Sequence, residues 1–103
     1  EASSEIRKRV INARNLQLNR LEKRGRFANS QMEAAEIQTF CNIDSETTSY
    51  IKQSINDLQL SARAFDKILK VSRTIADLEN SENIQLHHVC EAVQYRALDK
   101  RLW

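Results

Sequence analysis

Few residues in this chain have types and spacing suited to chemistry. The first is Arg63, in the run Leu60-Ser61-Ala62-Arg63-Ala64. Ser61 suits an N-cap, since its hydroxyl can accept a hydrogen bond from a free amide in the first turn. Arg63 then falls where the positive end of the helix dipole disfavours a cation by about 0.3–1 kcal/mol. Asp66, in the same turn, offsets part of that cost. A charge placed against local preference is one mark of a functional position. The plainer alternative is an exposed arginine pairing with Asp66 or Asp57, a kind of contact worth little.

The other reactive residues give less. Cys41 and Cys90 are the two cysteines, and without a secretion signal they read as reduced and buried rather than bridged. His87 and His88 lie close to Cys90, but the spacing fits no zinc pattern, so no metal is expected. Adjacent histidines on a helix face different directions and should not act as a pair. The chain has no Gly-rich phosphate loop, acid–base cluster or nucleophile motif, so catalysis by this chain alone is not expected.

These residues must be positioned by helices. The 103 residues include one Gly and no Pro, with 29% charged and 41% hydrophobic residues, a composition for an ordinary core without the frequent turns of sheets. No apolar run approaches the ~18 residues of a membrane helix, and no signal peptide is visible, so a cytoplasmic location is expected. The chain begins Glu-Ala-Ser-Ser without Met and reads as part of a longer protein. Net charge is only +2, yet Arg7, Lys8, Arg9, Arg14, Arg20, Lys23, Arg24 and Arg26 crowd into residues 7–26. Such asymmetry permits a contact with phosphate, and equally describes a solvated helix face.

Periodicity predicts a first helix over 4–24, with Ile6, Val10, Ala13, Leu16, Leu18 and Leu21 as apolar contacts and Gly25 as its left-handed stop. A short helix should start at Asn29 or Ser30. Asp44 or Ser45 should cap a third, carrying Tyr50, Ile51, Ile55 and Leu58. The central helix follows Ser61 and ends near Glu79, with a wide apolar stripe anchored by Ile68, Leu69, Ile75 and Leu78. Arg63, Asp66, Lys67, Lys70, Arg73, Thr74 and Asp77 should share its polar face. Ile84 should plug the core from a loop before a last helix over 86–101. The expected fold is all-α: a small antiparallel bundle of four main helices plus one short helix, in a single domain spanning 1–103.

Longer runs add a resemblance. Leu60-Ser61-Ala62-Arg63-Ala64, then the run from Ile68 to Leu78, with Arg73-Thr74-Ile75-Ala76-Asp77-Leu78 at its end, then the run from His88 to Asp99, closely resemble the C-terminal domain of magnesium chelatase-like AAA+ ATPases of the YifB/ComM type. Ile6-Arg7-Lys8-Arg9-Val10, Ala13-Arg14, Gln17, Arg20, Asn29 and Cys41 also look like that family. Ser72, Cys90 and Phe65-Asp66 depart from its pattern, and none touches Arg63.

The resemblance implies a non-catalytic helical lid, packed beside an N-terminal AAA+ nucleotide-binding domain of the same chain, in a homo-oligomeric ring. It implies that Arg63 is a sensor-2 arginine reaching the ATP phosphates, for which a permanently charged planar fork is suited. ATP and Mg2+ would be cofactors of the full-length ATPase, a possible DNA helicase or translocase linked to recombining DNA, with none bound by this segment. Arg14, Arg20, Arg73 and Arg96 are secondary candidates for nucleotide, DNA or interface contacts. Ion pairs between helices, and Arg73 with Asp77 at i,i+4, would explain most of these equally. Competing readings are a free-standing helical module that binds nucleic acid through residues 7–26, and a protein-interaction bundle.

Overall fold

A computed structural model describes the backbone of residues 2–102 and the side chains of residues 2–98, so Asp99 lies outside the described side chains. It is all-helical: α1 Ser3–Leu21, α2 Ala34–Phe40, α3 Ser45–Asp57, α4 Arg63–Leu78 and α5 Leu86–Leu102. Two 3-10 turns, Glu22–Arg24 and Asn29–Gln31, follow α1, and no strand occurs among the described residues. This is the expected bundle of four main helices plus a short one. α4 packs against α5, α1, α3, α2 and the Asn29–Gln31 turn, and so is the central element. Leu21, Met32, Ile51, Ile68 and Val89 meet in the core, and Ile84 plugs it from the loop before α5, as expected.

The helix ends explain how a chain with one Gly turns so often. Gly25 takes φ 75°, Gln59 55° and Asn80 57°, all left-handed. Each is followed by a backbone bond reaching back over the last turn: Arg26 N–H to Leu21 O (3.2 Å), Leu60 N–H to Ile55 O (2.9 Å) and Ser81 N–H to Ala76 O (2.8 Å). Gly25, Gln59 and Asn80 N–H bond to Glu22, Asn56 and Asp77 carbonyls. These are three Schellman endings. Only Gly25 is legible by residue type; a Cβ there would meet no atom within 4 Å, so the requirement is conformational.

Several expectations are corrected. Ser61 does not cap α4: Ala62 is already helical, no side chain caps the helix, and Ser61 offers its backbone carbonyl to Ala64 N–H instead. The second helix does not start at Asn29 or Ser30, where the chain makes the 3-10 turn; it starts at Ala34. Glu36 accepts from Glu33 N–H (3.0 Å) at its first turn. Ile6 and Val10, in the early turns of α1, stand exposed. Ile75 and Leu78 are only partly buried. Most consequential, Arg73 and Asp77 lie not on a polar face but inside, 5% and 0% exposed. Ser72 is buried too, its hydroxyl satisfied by donating to Ile68 O (2.7 Å). Neighbours surround α4 on more sides than one stripe could serve.

Ile68→Ala should cost about 2–5 kcal/mol, since the side chain is 1% exposed. Val71→Ala, at 39% exposure, should stay within about 0.5 kcal/mol. Urea denaturation of both variants checks the pair.

Candidate functional site

The buried Asp77 carboxylate gathers the polar side chains of three elements. Arg20 of α1 clamps it in a fork, with both terminal nitrogens 2.8 Å from its two oxygens. Arg73, one turn earlier on α4, donates Nε–H to Oδ1 at 3.2 Å. Asn29 donates Nδ2–H to Oδ2 at 2.9 Å and to Thr74 Oγ1 at 3.1 Å, while its own Oδ1 accepts from Arg20 (2.9 Å). Asn29 N–H in turn bonds to Gln17 Oε1 of α1 (2.9 Å). Arg73 also donates to Ser81 O (2.7 Å) and Glu82 O (3.0 Å), the carbonyls that the Asn80 turn brings round. Burial pulls the Arg73 guanidinium below its ordinary range, with Asp77 opposing; an arginine nonetheless stays charged in a protein. Arg20 and Arg73, two of the secondary candidates, are thus structural partners of one carboxylate.

Arg63 is placed quite differently. It is the first residue of α4, exposed, and forms no ion pair with Asp57, Asp66 or any other described residue. Local pairing, the plainer explanation of this residue, is absent. Arg14 is likewise exposed, and Arg96 is half-buried in a groove between α4 and α5 lined also by Lys67, Lys70 and Tyr95. Tyr95 is exposed. Arg63 and the Asp77 cluster are not brought together: Arg73 lies ten residues along α4, about 15 Å at 1.5 Å per residue.

His87 and His88 do meet, contrary to the argument from adjacency. Their rings lie 4.0 Å apart, and both Nε2 atoms approach Glu79 Oε1, at 2.9 and 3.2 Å. These three residues are the one group among those described whose ligand atoms could converge on a metal. The donor set does not suit one. His88 Nδ1 accepts from Gln85 N–H at 2.8 Å, so the neutral ring carries its proton on Nε2 and has no lone pair to give there. Cys90 is not in the group.

Other charges are spent within the chain. Asp44 caps α3, accepting from Thr47 N–H at 2.7 Å, and this bonding holds its carboxyl below the usual range. Glu36 is held low by the Glu33 amide and by Arg26 and Arg24, and Glu79 by the His87 hydrogen bond. Both cysteines are free; burial pushes the Cys41 thiol up to about 11. Within the basic run, Lys8 pairs with Glu5, Arg20 with Asp77, Arg24 with Glu36, and Arg26 with Glu33 and Glu36. Arg24 and Arg20 also approach the Phe40 ring, at 5.3 and 6.0 Å from its centroid.

Sequence reasoning missed Asp77 as the hub, Asn29 and Gln17 as its supports, and Glu79. Asp77, Asn29 and Gln17 stood within the family-like positions, which was the available signal.

The comparisons agree with that resemblance. Residues 1–96 match the family described as magnesium chelatase, subunit ChlI C-terminal, and the chain belongs to it. YifB of Escherichia coli (strain K12) is 39% identical over 102 residues, covering 99% of this chain and 19% of the relative. The competence protein ComM of Haemophilus influenzae (strain Rd) is 37% identical over the same length, with the same coverage. The chain therefore spans about a fifth of the length of these curated relatives. No solved structure matches it. No helix among the described residues is long and apolar enough to cross a membrane.

Asp77→Asn should destabilise the chain by about 3–5 kcal/mol, because two arginines stay buried without a counter-charge. Arg14→Ala, at an exposed position, should shift stability by no more than about 0.5 kcal/mol. Chemical denaturation measures both.

Acid should unfold the chain through its depressed carboxyls. Glu36, Asp44 and Glu79 have folded pKa values below their ordinary 4.5, 3.8 and 4.5. Their stabilisation is complete above those ordinary values and is lost as pH falls through the lower folded ones. Melting temperature should therefore be level through this contribution near neutrality and decline below about pH 4.5. Thermal melts between pH 7 and pH 2 follow it.

Proposed function

We propose that this chain is the helical lid of an AAA+ ATPase, a non-catalytic C-terminal domain in which Arg63 senses bound ATP. The observation that carries the reading is an exposed arginine without an ion pair at the first residue of the central helix. It sits in the Ser-Ala-Arg run through which the chain resembles the family. A cation held against the helix dipole, with no partner of its own, is suited to a partner supplied from outside. A triphosphate fits: guanidinium presents parallel donors to phosphate oxygens at constant charge. Attached to a lid, such a contact converts the presence of a γ-phosphate into lid position.

On this reading the partners are the nucleotide-binding domain of the same protein and neighbouring subunits of a homo-oligomeric ring. ATP and Mg2+ belong to the full-length protein, which acts in the cytoplasm on DNA. The competence protein among the relatives supports the DNA context. Arg14 and Arg96 remain candidate interface or DNA contacts. The alternative, a nucleic-acid module working through the first helix, is weakened because Lys8, Arg20, Arg24 and Arg26 already hold carboxylates.

Arg63→Ala in the full-length protein should lower ATP turnover about a hundredfold, the worth of one transition-state donor. It should leave the melting temperature of the isolated chain unchanged or slightly raised. Arg63→Lys should recover only part of the rate, having charge without the fork. An unchanged rate with a lowered melting temperature would make Arg63 structural and remove the sensor assignment.

A further inference from the structure

Arg20 and Arg73 have only 14% and 6% of their side chains exposed, and they share one carboxylate, Asp77. Two buried positive charges against one negative leave a surplus. The other acceptors of Arg73 are the Ser81 and Glu82 carbonyls, which carry no formal charge. Cys41 feels both guanidinium groups, but burial holds its thiol neutral. Glu36 is engaged by Arg24 and Arg26. Glu82 lies at the rim with an exposed side chain and forms no ion pair with either arginine. A buried charge without a counter-charge is costly, and the surplus is relieved most simply by an anion entering from solvent.

The molecule has a place for one. A pocket of about 230 Å³ opens beside the cluster, with Arg20, Arg73, Asn42 and Asn83 among its walls. Its lining is mainly polar, and Phe40 closes one side beneath Arg20. The lining residues carry unspent donors: Arg20 uses both terminal nitrogens on Asp77 and Asn29, but its Nε–H makes no hydrogen bond to a described residue. The Asn83 side-chain amide is also uncommitted among the described residues. Asn42 gives one amide hydrogen to Thr39 O and keeps a second.

We propose that this pocket is an oxyanion subsite that takes a single phosphoryl group, held by Arg20 and Arg73 with the Asn83 and Asn42 amides. Guanidinium donors match tetrahedral oxyanions well, and the subsite completes the charge balance of the Asp77 cluster. It is separate from Arg63, about 15 Å away along α4, and stands or falls independently of the proposed ATP sensing.

The test uses the intact, isotope-labelled chain and follows the arginine Nε–H signals by NMR. Sodium phosphate replaces sodium chloride at fixed pH and ionic strength. The expected result is a saturable shift of the Arg20 and Arg73 signals in the millimolar range. Asn83→Asp, which places a carboxylate in the pocket while leaving the Asp77 cluster intact, should weaken binding at least about tenfold. Glu82→Gln, which removes the rim charge, should strengthen it. The same signals titrated with ATP and with a short oligodeoxynucleotide distinguish the sources: whichever of the three saturates lowest supplies the phosphoryl group. No saturation with any of the three, or equal phosphate affinity in wild type and the folded Asn83→Asp variant, overturns the proposal.

Discussion

Asp77 has no exposed surface, and its two carboxylate oxygens accept from Arg20, Asn29 and Arg73. Burying that charge costs several kcal/mol of lost hydration, offset only if every oxygen finds donors of good geometry. The requirement is directional in a way the surrounding core is not. Leu21, Ile68 and Val89 would tolerate a slide of one helix along another with modest loss, since burial depends on area rather than angle. A guanidinium fork at 2.8 Å on both oxygens fixes where α1 crosses α4. The Asn29–Gln31 turn is fixed with it, because Asn29 spans Gln17 on α1 and Thr74 on α4.

Helix termination and the charge cluster work as one device. Asn80 adopts the left-handed conformation that ends α4, and the chain doubles back so that Ser81 and Glu82 carbonyls meet Arg73. A residue unable to adopt φ 57° at position 80 would remove two acceptors from a buried cation as well as unwinding the turn. The start of α5 is secured by a related reciprocity: His88 at the third helical position accepts from the Gln85 amide, as Glu36 does for Glu33 in α2.

The helices themselves were largely legible, because their apolar spacing is local and each connection is short. α4 was identifiable as central from the breadth of its apolar stripe. Its buried charges were not, since periodicity sorts residues by hydropathy and places every Arg and Asp on the wet side. Arg73 and Asp77 are four apart and pair as spacing predicts, but their burial is set by Arg20, 57 residues from Asp77, and no local pattern records that. The histidine pair failed for another reason. Adjacency separates side chains in a helix interior, whereas His87 and His88 occupy a first turn and reach back to the preceding loop, where Glu79 waits. Gln59 and Asn80 as left-handed stops were missed because Gly is the usual residue there and both supply the conformation without it.

The arginines of α4 divide by environment: Arg73 holds the fold, and Arg63 stands exposed without an ion pair. Arg20 and Arg73 are committed by burial and by geometry. Arg63 is the same chemical group at the opposite end of the same helix, with nothing committed. The ends of α4 differ accordingly. Its C-terminus is locked by the Schellman turn, by Arg73 and by the Asp77 cluster. Its N-terminus has no side-chain cap and carries a cation against the dipole. The helix is about 24 Å long at 1.5 Å per residue, and its middle turns are buried. An outside anion that engaged Arg63 would act on the uncapped end of α4, at the opposite end from the Asp77 cluster.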